Sequence, residues 1–272
     1  MEICVLRNST LKDTESACAA VAAVAKRLGI RIVPERRAAA ADLFLVLGGD
    51  GSVLHAVRAH GRRGIPFLGV NIGSLGYLAG TRPDGLEEAL RAFRDGECEL
   101  EERALLRAQF RRGGNGRASA PELSLNDIVV SRSGTGRIVG LDLLVDGEEA
   151  ASFLCDGILL ATPTGSTAYS LSAGGPILLP RTPAFLVNVL CPHVLSSRPL
   201  VVPAESIVTI RVSRAEAPLL CSVDGQVRAE LRPGDTITAT IAAQTVKIVT
   251  LPGQSPFAPL RTKLGWKGSL LS

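Results

Sequence analysis

Residues Leu43 to Ser52 read LFLVLGGDGS, and this stretch decides the fold of the first part of the chain. Leu43 to Leu47 are all apolar, which is typical of a strand that is covered on both faces in a parallel sheet. Gly48 to Ser52 follow at once, and Val53 to His60 then fit a helix. We therefore predict a buried strand, a glycine turn and a returning helix, which is the first part of a βαβ unit.

Apolar runs and helical patterns alternate on both sides of this turn. The predicted strands are Ile3 to Leu6, Ile30 to Val33 and Pro66 to Val70. The further predicted helices are one whose apolar positions are Ala17, Val21, Val24 and Leu28, and a second over Leu86 to Phe93. Thr10 or Asp13 can cap the first of these helices, and Gly29 and Gly96 can end them. The alternation predicts an α/β domain with a Rossmann-like parallel sheet over residues 1–100, which carries the GGDGS loop.

The pattern changes after about residue 100 to short strands separated by turns. The predicted strands are Leu105–Phe110, Asp127–Ser131, Ile138–Val145, Gly157–Ala161, Ala184–Leu190, Ile207–Val212, Leu219–Val223, Thr236–Ile241 and Val246–Leu251. Asp146-Gly147 is a typical hairpin turn. We predict a β-rich domain over residues 101–251, followed by a tail, 252–272, which packs back on the surface and carries the only tryptophan, Trp266.

Composition excludes several classes of protein. The 30 basic and 26 acidic residues give a net charge of +4, but the basic residues are dispersed and only 4% of residues are aromatic, which argues against nucleic-acid binding. Apolar runs stay short of the roughly 18 residues of a membrane span. The six cysteines show no C-x-x-C pair, and the first residues do not resemble an export signal. We expect a cytoplasmic protein that binds neither nucleic acid nor membrane.

The GGDGS turn is the first candidate site. Glycines between a strand and a helix let backbone N–H groups approach a phosphate, and a carboxylate such as Asp50 then suits phosphoryl transfer. Leu54 occupies the third glycine position of a dinucleotide-binding G-x-G-x-x-G motif, so that motif is not complete. His55 lies one turn beyond Ser52 and could contact a phosphate. The alternative is a plain strand-to-helix turn in which Asp50 is the N-cap.

Two other segments are rich in polar groups. Thr162 to Pro176 reads TPTGSTAYSLSAGGP and follows Asp156-Gly157 and a strand, and its hydroxyls suit the edges of sugars and bases. Asn126-Asp127 can read an amide, an adenine edge or a hydroxyl. The alternative for both segments is turn chemistry. His, Cys and carboxylate residues do not show metal-ligand spacing, so we expect any metal to arrive with a nucleotide.

These segments, in this order, resemble the bacterial NAD kinase family over nearly the whole chain. Gly48 to Ser52 is similar to its GGDG[TS] signature, Asn126-Asp127 to its NE/D motif, and Asp156 to Pro176 to its DG...TPTGSTAYSLSAGGP stretch. Pro192 to Leu200, Val223 to Gln226 and Thr262 to Trp266 also resemble family stretches.

The resemblance implies an NAD kinase, a phosphotransferase that moves a phosphoryl group from ATP, or from polyphosphate in some members, to the 2′-hydroxyl of the adenosine ribose of NAD, giving NADP. It implies Mg²⁺ or another divalent cation with ATP, NAD in a cleft between an α/β and a β-rich domain, and a homodimer or homotetramer that completes the site. Asp50 would be the catalytic residue that polarises or deprotonates the hydroxyl. The implied nucleotide-binding residues are Gly49, Gly51, Ser52, His55, Asn126, Asp127, Arg137, Asp156, Thr167, Ala168, Tyr169, Ser170, Leu171, Ser172 and Gln226.

Small departures from the family pattern leave some questions open. Ser52 replaces the commoner Thr, Asp127 replaces the commoner Glu, and Leu154 precedes Cys155 where polar or small residues are common. Because Leu154 could alter the tolerance for the reduced cofactor, NAD and NADH are both candidate substrates. Lipid and sugar kinases share a GGDG loop, although the segment Thr162 to Pro176 argues against them, and an NAD(P)-binding regulator without catalysis is the alternative from another class.

Overall fold

We describe a computed structural model of the chain over residues 1–7, 14–73, 76–113, 116–134, 137–255 and 257–266. The candidate N-cap residues Thr10 and Asp13 lie outside these described residues. The chain divides into two compact units, which are Met1–Glu102 with Val246–Ser272, and Arg103–Thr245. We call them unit 1 and unit 2.

Helices and strands alternate in unit 1, and strands dominate unit 2. The α-helices are α1 (Thr14–Leu28), α2 (Asp50–His60), α3 (Leu86–Arg94), α4 (Tyr169–Ser172) and α5 (Ala258–Leu264). The strands are β1 (Glu2–Arg7), β2 (Arg31–Val33), β3 (Leu43–Leu47), β4 (Phe67–Val70), β5 (Ala79–Thr81), β6 (Glu99–Arg111), β7 (Glu122–Ser124), β8 (Asp127–Ser131), β9 (Val139–Val145), β10 (Glu148–Cys155), β11 (Gly157–Ala161), β12 (Ala184–Leu190), β13 (Leu200–Pro203), β14 (Val208–Arg214), β15 (Leu219–Val223), β16 (Gln226–Leu231) and β17 (Thr236–Thr250). In the part of the chain that the structure describes, no helix is both long and apolar enough to cross a membrane.

Unit 1 contains a parallel sheet, as predicted. Its strand order is β2-β1-β3-β4, β5 pairs with β4, and Ile248 of β17 pairs with Phe67, all in parallel. From β1 the chain goes through α1 to β2 on one side, whereas from β3 it goes through α2 to β4 on the other side. The direction of winding therefore changes between β1 and β3, and the glycine turn leaves the carboxyl end of β3 at this point. In open α/β sheets, ligands bind at such switch points.

The strand β3 is buried on both faces, which confirms the interpretation of its apolar run. Leu43, Leu45 and Leu47 share one core cluster with apolar residues of α1 and α3. On the other face, the Phe44 ring lies 5.0 Å from the His60 ring of α2, centroid to centroid. Helices thus cover the sheet on both sides, and the turn after β3 is held between two packed layers.

Unit 2 is β-rich, as predicted, and consists of two antiparallel layers. One is the sheet β13-β12-β11-β8-β15-β16, and the other contains β10-β9-β14-β17. Ile158 and Leu160 from the first layer share a core cluster with Leu141 and Ile210 from the second. The predicted hairpin turn Asp146-Gly147 joins β9 to β10 with positive φ at both residues, 55° and 87°.

The outer face of the β8-β11-β12 sheet is covered by the segment after β11. Leu159 and Leu186 on this face form a second cluster with Ala173 and Leu178. This packing fixes residues 165–178, which contain α4 and the hydroxyl-rich sequence, against the sheet.

Most of the strands that the sequence pattern does not predict lie at sheet edges. The edge strands β10, β13 and β16 expose most of their residues, so they lack the apolar runs on which the prediction depends. Several predicted elements have other bounds in the structure, and β6 begins at Glu99 rather than at Leu105. β17 is one strand rather than two, and α2 begins at Asp50 rather than at Val53.

Candidate active site

The glycine turn after β3 has a backbone conformation that places Asp50 in the first turn of α2. Gly48 has φ 146°, which L-residues rarely adopt, and its N–H donates to the carbonyl of Val70 at 3.0 Å. Gly49 is the N-cap of α2, with φ −94° and ψ −168°. Asp50 is therefore the first residue of the helix, at the carboxyl end of the parallel sheet.

The carboxylate of Asp50 binds a neighbouring loop rather than capping its own helix. Its Oδ2 accepts the N–H of Tyr77 at 2.8 Å, and its Oδ1 accepts the N–H of Leu78 at 2.9 Å. The alternative interpretation of Asp50 as an N-cap is therefore wrong. A carboxylate oxygen has two lone-pair sites, so each oxygen can still accept another donor. The side chain is only partly buried and can meet a ligand.

The loop that holds Asp50 is itself fixed from the C-terminal part of unit 1. The ammonium of Lys263 in α5 lies 4.2 Å from the centroid of the Tyr77 ring. The side-chain amide of Gln254 donates to the carbonyl of Gly80. Burial raises the pKa of the Tyr77 hydroxyl, and the negative charge of Asp50 raises it further.

The start of α2 is open. A Cβ atom added to Gly49 or to Gly51 would meet no atom of the described residues within 4 Å. Ser52 is partly buried and His55 is exposed one helical turn later. Space, backbone N–H groups and the positive end of a helix dipole therefore coincide here, which is the usual arrangement for binding an anion.

In unit 2, the polar pair Asn126-Asp127 lies in a turn organised by Asp224. Asp224 Oδ1 accepts the N–H groups of Asn126 at 2.8 Å and Asp127 at 3.3 Å. Asp127 is buried at the start of β8, and this burial, with the negative charge of Asp224 as a second cause, raises its pKa to about 7. The side-chain amide of Asn126 makes no hydrogen bond to another described residue and is partly exposed.

The hydroxyl-rich segment after β11 is bonded to the same turn. The hydroxyl of Thr162 donates to the carbonyl of Leu125 at 2.5 Å and accepts the N–H of Gly165 at 3.0 Å. The hydroxyl of Thr167 donates to the carbonyl of Thr164 at 3.1 Å. Turn chemistry thus accounts for Thr162 and Thr167, and it brings the Asn126 turn and α4 together.

Side chains of α4 point to two sides. Ser170 is fully buried, and its carbonyl accepts the side-chain amide of Asn188 at 3.1 Å. Tyr169 is 49% exposed. Together with Ser172 and the exposed residues Cys191 and Arg198, it lines a groove of about 410 Å³. Ala168, which is the N-cap of α4, and Leu171 within the helix are partly buried.

Two further predicted binding residues, Asp156 and Arg137, lie away from the Asn126 turn, and a third, Gln226, lies beside it on a hairpin. Asp156 accepts the guanidinium of Arg132 at 2.6 Å. Arg137 is exposed and pairs with Glu216 at 2.8 Å. Gln226 is exposed two residues after Asp224, where it begins β16. The structure therefore groups Gln226 with the Asn126 turn through Asp224.

Sequence reasoning missed several residues that shape these groups. Asp224 belongs to an Asp-Gly hairpin signal, which indicates a turn but not the four donors it binds. Gly76 and Gly165 allow close approach, because a Cβ atom would lie 2.0 Å from Asp50 Oδ1 at the first and 2.0 Å from the carbonyl oxygen of Asn126 at the second. A single sequence offers no signal for such long-range approaches.

Within the residues that the structure describes, no group of three or more His, Cys, Asp or Glu side chains is placed to hold a metal ion.

Comparison with known proteins gives consistent matches along the chain. Residues 7–98 match the family model for the ATP-NAD kinase N-terminal domain, and residues 125–251 match that for the C-terminal domain. The chain is 41% identical to an NAD kinase from Gemmatimonas aurantiaca over 84% of its length and 78% of that protein. It is 43% identical to an NAD kinase from Pseudomonas fluorescens over 84% and 77% of the two chains.

Solved structures agree in fold. The crystal structure of yeast NADH kinase complexed with NADH matches with a TM-score of 0.88 and 26% identity, over 100% of this chain and 90% of that one. An NAD kinase from Archaeoglobus fulgidus in complex with ATP matches with a TM-score of 0.78 and 23% identity, over 98% and 100%, and this likeness concerns the fold alone. With both halves of the chain matched by its family models and with relatives more than 40% identical over most of their length, this chain belongs to the NAD kinase family.

Proposed function

We propose that this NAD kinase makes NADP by transferring the γ-phosphoryl group of ATP to the 2′-hydroxyl of the adenosine ribose of NAD, with Asp50 as its catalytic residue. The observation that carries the proposal is the fixed carboxylate of Asp50. Two backbone N–H groups, from Tyr77 and Leu78, hold its two oxygens at a glycine turn with open space beside it.

The proposed reaction needs little covalent chemistry from the protein. Asp50 accepts a hydrogen bond from the 2′-hydroxyl and takes its proton as the 2′-oxygen attacks the γ-phosphorus. The bond from that phosphorus to the β,γ-bridging oxygen breaks, and ADP leaves. Orientation of the attacking hydroxyl and neutralisation of the phosphate charge supply most of the rate in such transfers.

Phosphate binding is assigned to the start of α2. Gly49, Gly51 and Ser52 present backbone at the helix N-terminus, and His55 lies exposed one turn later. The positive end of the helix dipole favours the phosphate anions. Mg²⁺ or another divalent cation enters with ATP as part of the substrate and neutralises charge on the β- and γ-phosphates.

Binding of NAD is assigned to unit 2. The partly exposed amide of Asn126 and the carboxyl of Asp127 suit the polar edges of the adenosine. Tyr169 offers a half-exposed ring beside a groove, on which an apolar ring of the dinucleotide can stack. The family resemblance implies further contacts from residues that are exposed or partly buried, namely Arg137, Asp156, Thr167, Ala168, Leu171, Ser172 and Gln226. It also implies Ser170, which is fully buried in this structure.

The range of substrates is a further part of the proposal. Leu154 is 43% exposed, at a position where the family resemblance implies polar or small residues, and the yeast NADH kinase has a similar fold. We therefore test NADH as acceptor beside NAD, and polyphosphate as donor beside ATP because the family resemblance implies it in some members.

We also propose that the enzyme acts in the cytoplasm, in NADP biosynthesis, and that it binds neither nucleic acid nor membrane. We propose a homodimer or a homotetramer as its assembly. Light scattering after size exclusion measures the assembly.

A substrate panel tests the activity. Purified protein is incubated with Mg²⁺ and either ATP or polyphosphate, against NAD, NADH, diacylglycerol, sphingosine and fructose 6-phosphate. We expect NADP from ATP and NAD, and no product from the lipids or the sugar phosphate. Phosphorylation of a lipid or sugar, or NAD binding without any product, would instead indicate another kinase or a regulator.

Asp50→Asn tests the catalytic residue. The amide keeps the size of the side chain but cannot take a proton, and it leaves one acceptor instead of two for the N–H groups of Tyr77 and Leu78. We expect kcat to fall by about 10²-fold or more while the Kd for NAD stays within about twofold. Asp84→Asn, at an exposed position before α3, is the control and should leave kcat unchanged. If Asp50→Asn weakens NAD binding as much as it lowers kcat, Asp50 has a structural role only.

A further inference from the structure

Asp224 lies at the centre of a hydrogen-bond network that no catalytic step accounts for. Its carboxylate accepts four donors from one short stretch of chain: the hydroxyl of Ser124 at 2.7 Å and the N–H groups of Leu125 at 3.1 Å, Asn126 at 2.8 Å and Asp127 at 3.3 Å. Its own N–H donates to the carbonyl of Asp127 at 2.9 Å. Three successive backbone N–H groups thus converge on one anion, as in an anion-binding nest.

The hairpin turn alone does not require this carboxylate. Asp224 and Gly225 have φ 46° and 73° between the paired residues Val223 and Gln226, as in a two-residue turn with positive φ at both positions. Asn or Gly serves such a turn as well as Asp does. What Asp alone brings is a negative charge that can accept from several donors, and hydrogen bonds to a charged acceptor are about twice as strong as neutral ones.

The carbonyl groups of Leu125 and Asn126 accept hydrogen bonds from Thr162, in the segment after β11. The hydroxyl and the N–H of Thr162 donate to the carbonyls of Leu125 and Asn126, at 2.5 and 2.9 Å. Gly165 approaches the Asn126 carbonyl so closely that a Cβ atom would lie 2.0 Å from its oxygen. The backbone of residues 125–127 is therefore fully engaged, and only the side chains of Asn126 and Asp127 are left to meet a ligand.

We propose that Asp224 is a positioning residue for NAD: by gathering the donors of residues 124–127, it sets the direction in which Asn126 and Asp127 present their side chains to the dinucleotide. This inference rests on the proposed function, which assigns NAD contacts to these two residues. It adds a residue that does not itself touch NAD but determines how well NAD is bound.

Asp224 also influences the charge of Asp127. Burial is the first cause that raises the pKa of Asp127, and the carboxylate of Asp224 is the second. Of the other elements in this sheet region, β11, which pairs with Asp127 through Ala161, has only apolar residues and glycine, and the opposite charges of Glu122 in β7 and Arg228 in β16 pair with each other at 3.7 Å. A neutral residue at 224 should thus shift the ionisation of Asp127 to lower pH.

The experiment compares Asp224→Asn with Asp146→Asn. Asp146 is a matched control, because it also begins an Asp-Gly turn with positive φ, 55°, and its Oδ1 also accepts a backbone N–H, that of Ile207 at 2.7 Å. For each variant we would measure the melting temperature, the Kd for NAD by calorimetry without ATP, kcat, the KM values for NAD and ATP, and the pH dependence of the Kd.

For Asp224→Asn we expect the Kd and KM for NAD to rise about tenfold or more, the KM for ATP to change less than about twofold, and the pH transition of NAD binding to move to lower pH. Asp146→Asn should leave the Kd for NAD, both KM values and the pH transition of NAD binding as in the wild type. Ser124→Ala removes a hydroxyl that lies 2.7 Å from Asp224 Oδ1 and 2.8 Å from the carbonyl oxygen of Asp127. It should raise the Kd for NAD by a smaller factor, which keeps the test decisive if Asp224→Asn does not fold.

Other outcomes separate the two proposals. If the wild type makes NADP but Asp224→Asn or Ser124→Ala binds NAD normally, or if NAD and ATP are affected equally, the positioning role is wrong and the proposed function stands. If the wild type binds NAD without making NADP, the proposed catalysis is wrong, while a weakened and pH-shifted Kd in Asp224→Asn still supports the positioning role. A wild type that does not bind NAD overturns both.

Discussion

A Cβ atom on Gly76 would lie 2.0 Å from Oδ1 of Asp50, a distance that real Cβ atoms do not adopt. The absence of a side chain at position 76 therefore lets the loop approach the carboxylate closely enough for Tyr77 and Leu78 to donate their N–H groups. The conformation of the loop and the position of Asp50 depend on each other.

Gly76→Ala should separate this loop from Asp50. The Cβ atom must push the loop or the carboxylate aside, and misplacement of a catalytic group by about 1 Å can cost roughly 10²-fold in rate. We expect kcat to fall by about that factor in a steady-state assay. Gly73→Ala is the matched control in the same loop region, because a Cβ atom there would lie within 4 Å of no atom in the part of the chain that the structure describes, and it should retain activity. Equal activity of the two variants would contradict the role of Gly76.

The sequence pattern predicts the core of this fold well and its edges poorly. β3, β8, β11, β12 and β15 match their predicted bounds, because strands inside a sheet are apolar throughout or nearly so. β10, β13 and β16 lie at edges and have exposed, polar residues, so their pairing depends on neighbours that lie far away in the sequence. Local patterns carry no information about such partners.

The same limit applies to the candidate site. The composition of the glycine turn indicates phosphate chemistry, and the family resemblance adds the roles of its residues. Neither shows that Asp50 is held by Tyr77 and Leu78, nor that Asp224 gathers the turn at Asn126, because these contacts join residues that are 27 or more positions apart. Only folding brings these supporting residues next to the candidate site.

Gly51→Ala should stabilise the protein and yet impair catalysis. Gly51 is in the first turn of α2 without an unusual φ, and a Cβ atom there would meet none of the described residues outside its own helix turn within 4 Å. Alanine in a helix is favoured over glycine by up to about 1 kcal/mol. If ATP phosphates occupy the space beside this turn, the methyl group meets them instead. We expect the melting temperature to be maintained or to rise, and the KM for ATP to increase severalfold with little change in the KM for NAD. An unchanged KM for ATP would show that the phosphates bind elsewhere.

Lys263 should affect catalysis through Tyr77. Its ammonium lies 4.2 Å from the ring centroid, and a cation over an exposed aromatic ring contributes about 0.5–1 kcal/mol, or roughly two- to fivefold in a rate. We expect Lys263→Met and Tyr77→Leu each to lower kcat by about this factor, the double variant to lower it no further, and Lys263→Arg to retain it. Arg261→Met, on the exposed part of the same helix α5, is the control. Additive losses in the double variant would mean that the two residues act separately.

Asp127 should make the stability of the protein depend on pH in a defined direction. Burial and the charge of Asp224 raise its pKa from 3.8 to about 7 in the folded protein. Between these two values the folded state binds more protons than the unfolded chain, so the free energy of unfolding from this group is greatest at low pH and falls as the pH rises towards 7. Above the folded pKa the loss is complete and the contribution stays constant.

Asp127→Asn isolates this contribution, because the amide resembles the protonated acid and cannot ionise. The difference in melting temperature, variant minus wild type, should become more positive from about pH 4.5 to about pH 7.5. Differential scanning calorimetry at constant ionic strength measures it. Glu88→Gln, at an exposed position of α3, is the control and should give a flat difference over this range. A flat difference for Asp127→Asn would mean that Asp127 ionises at similar pH in the folded and unfolded chain, and that Asp224 does not act on it electrostatically.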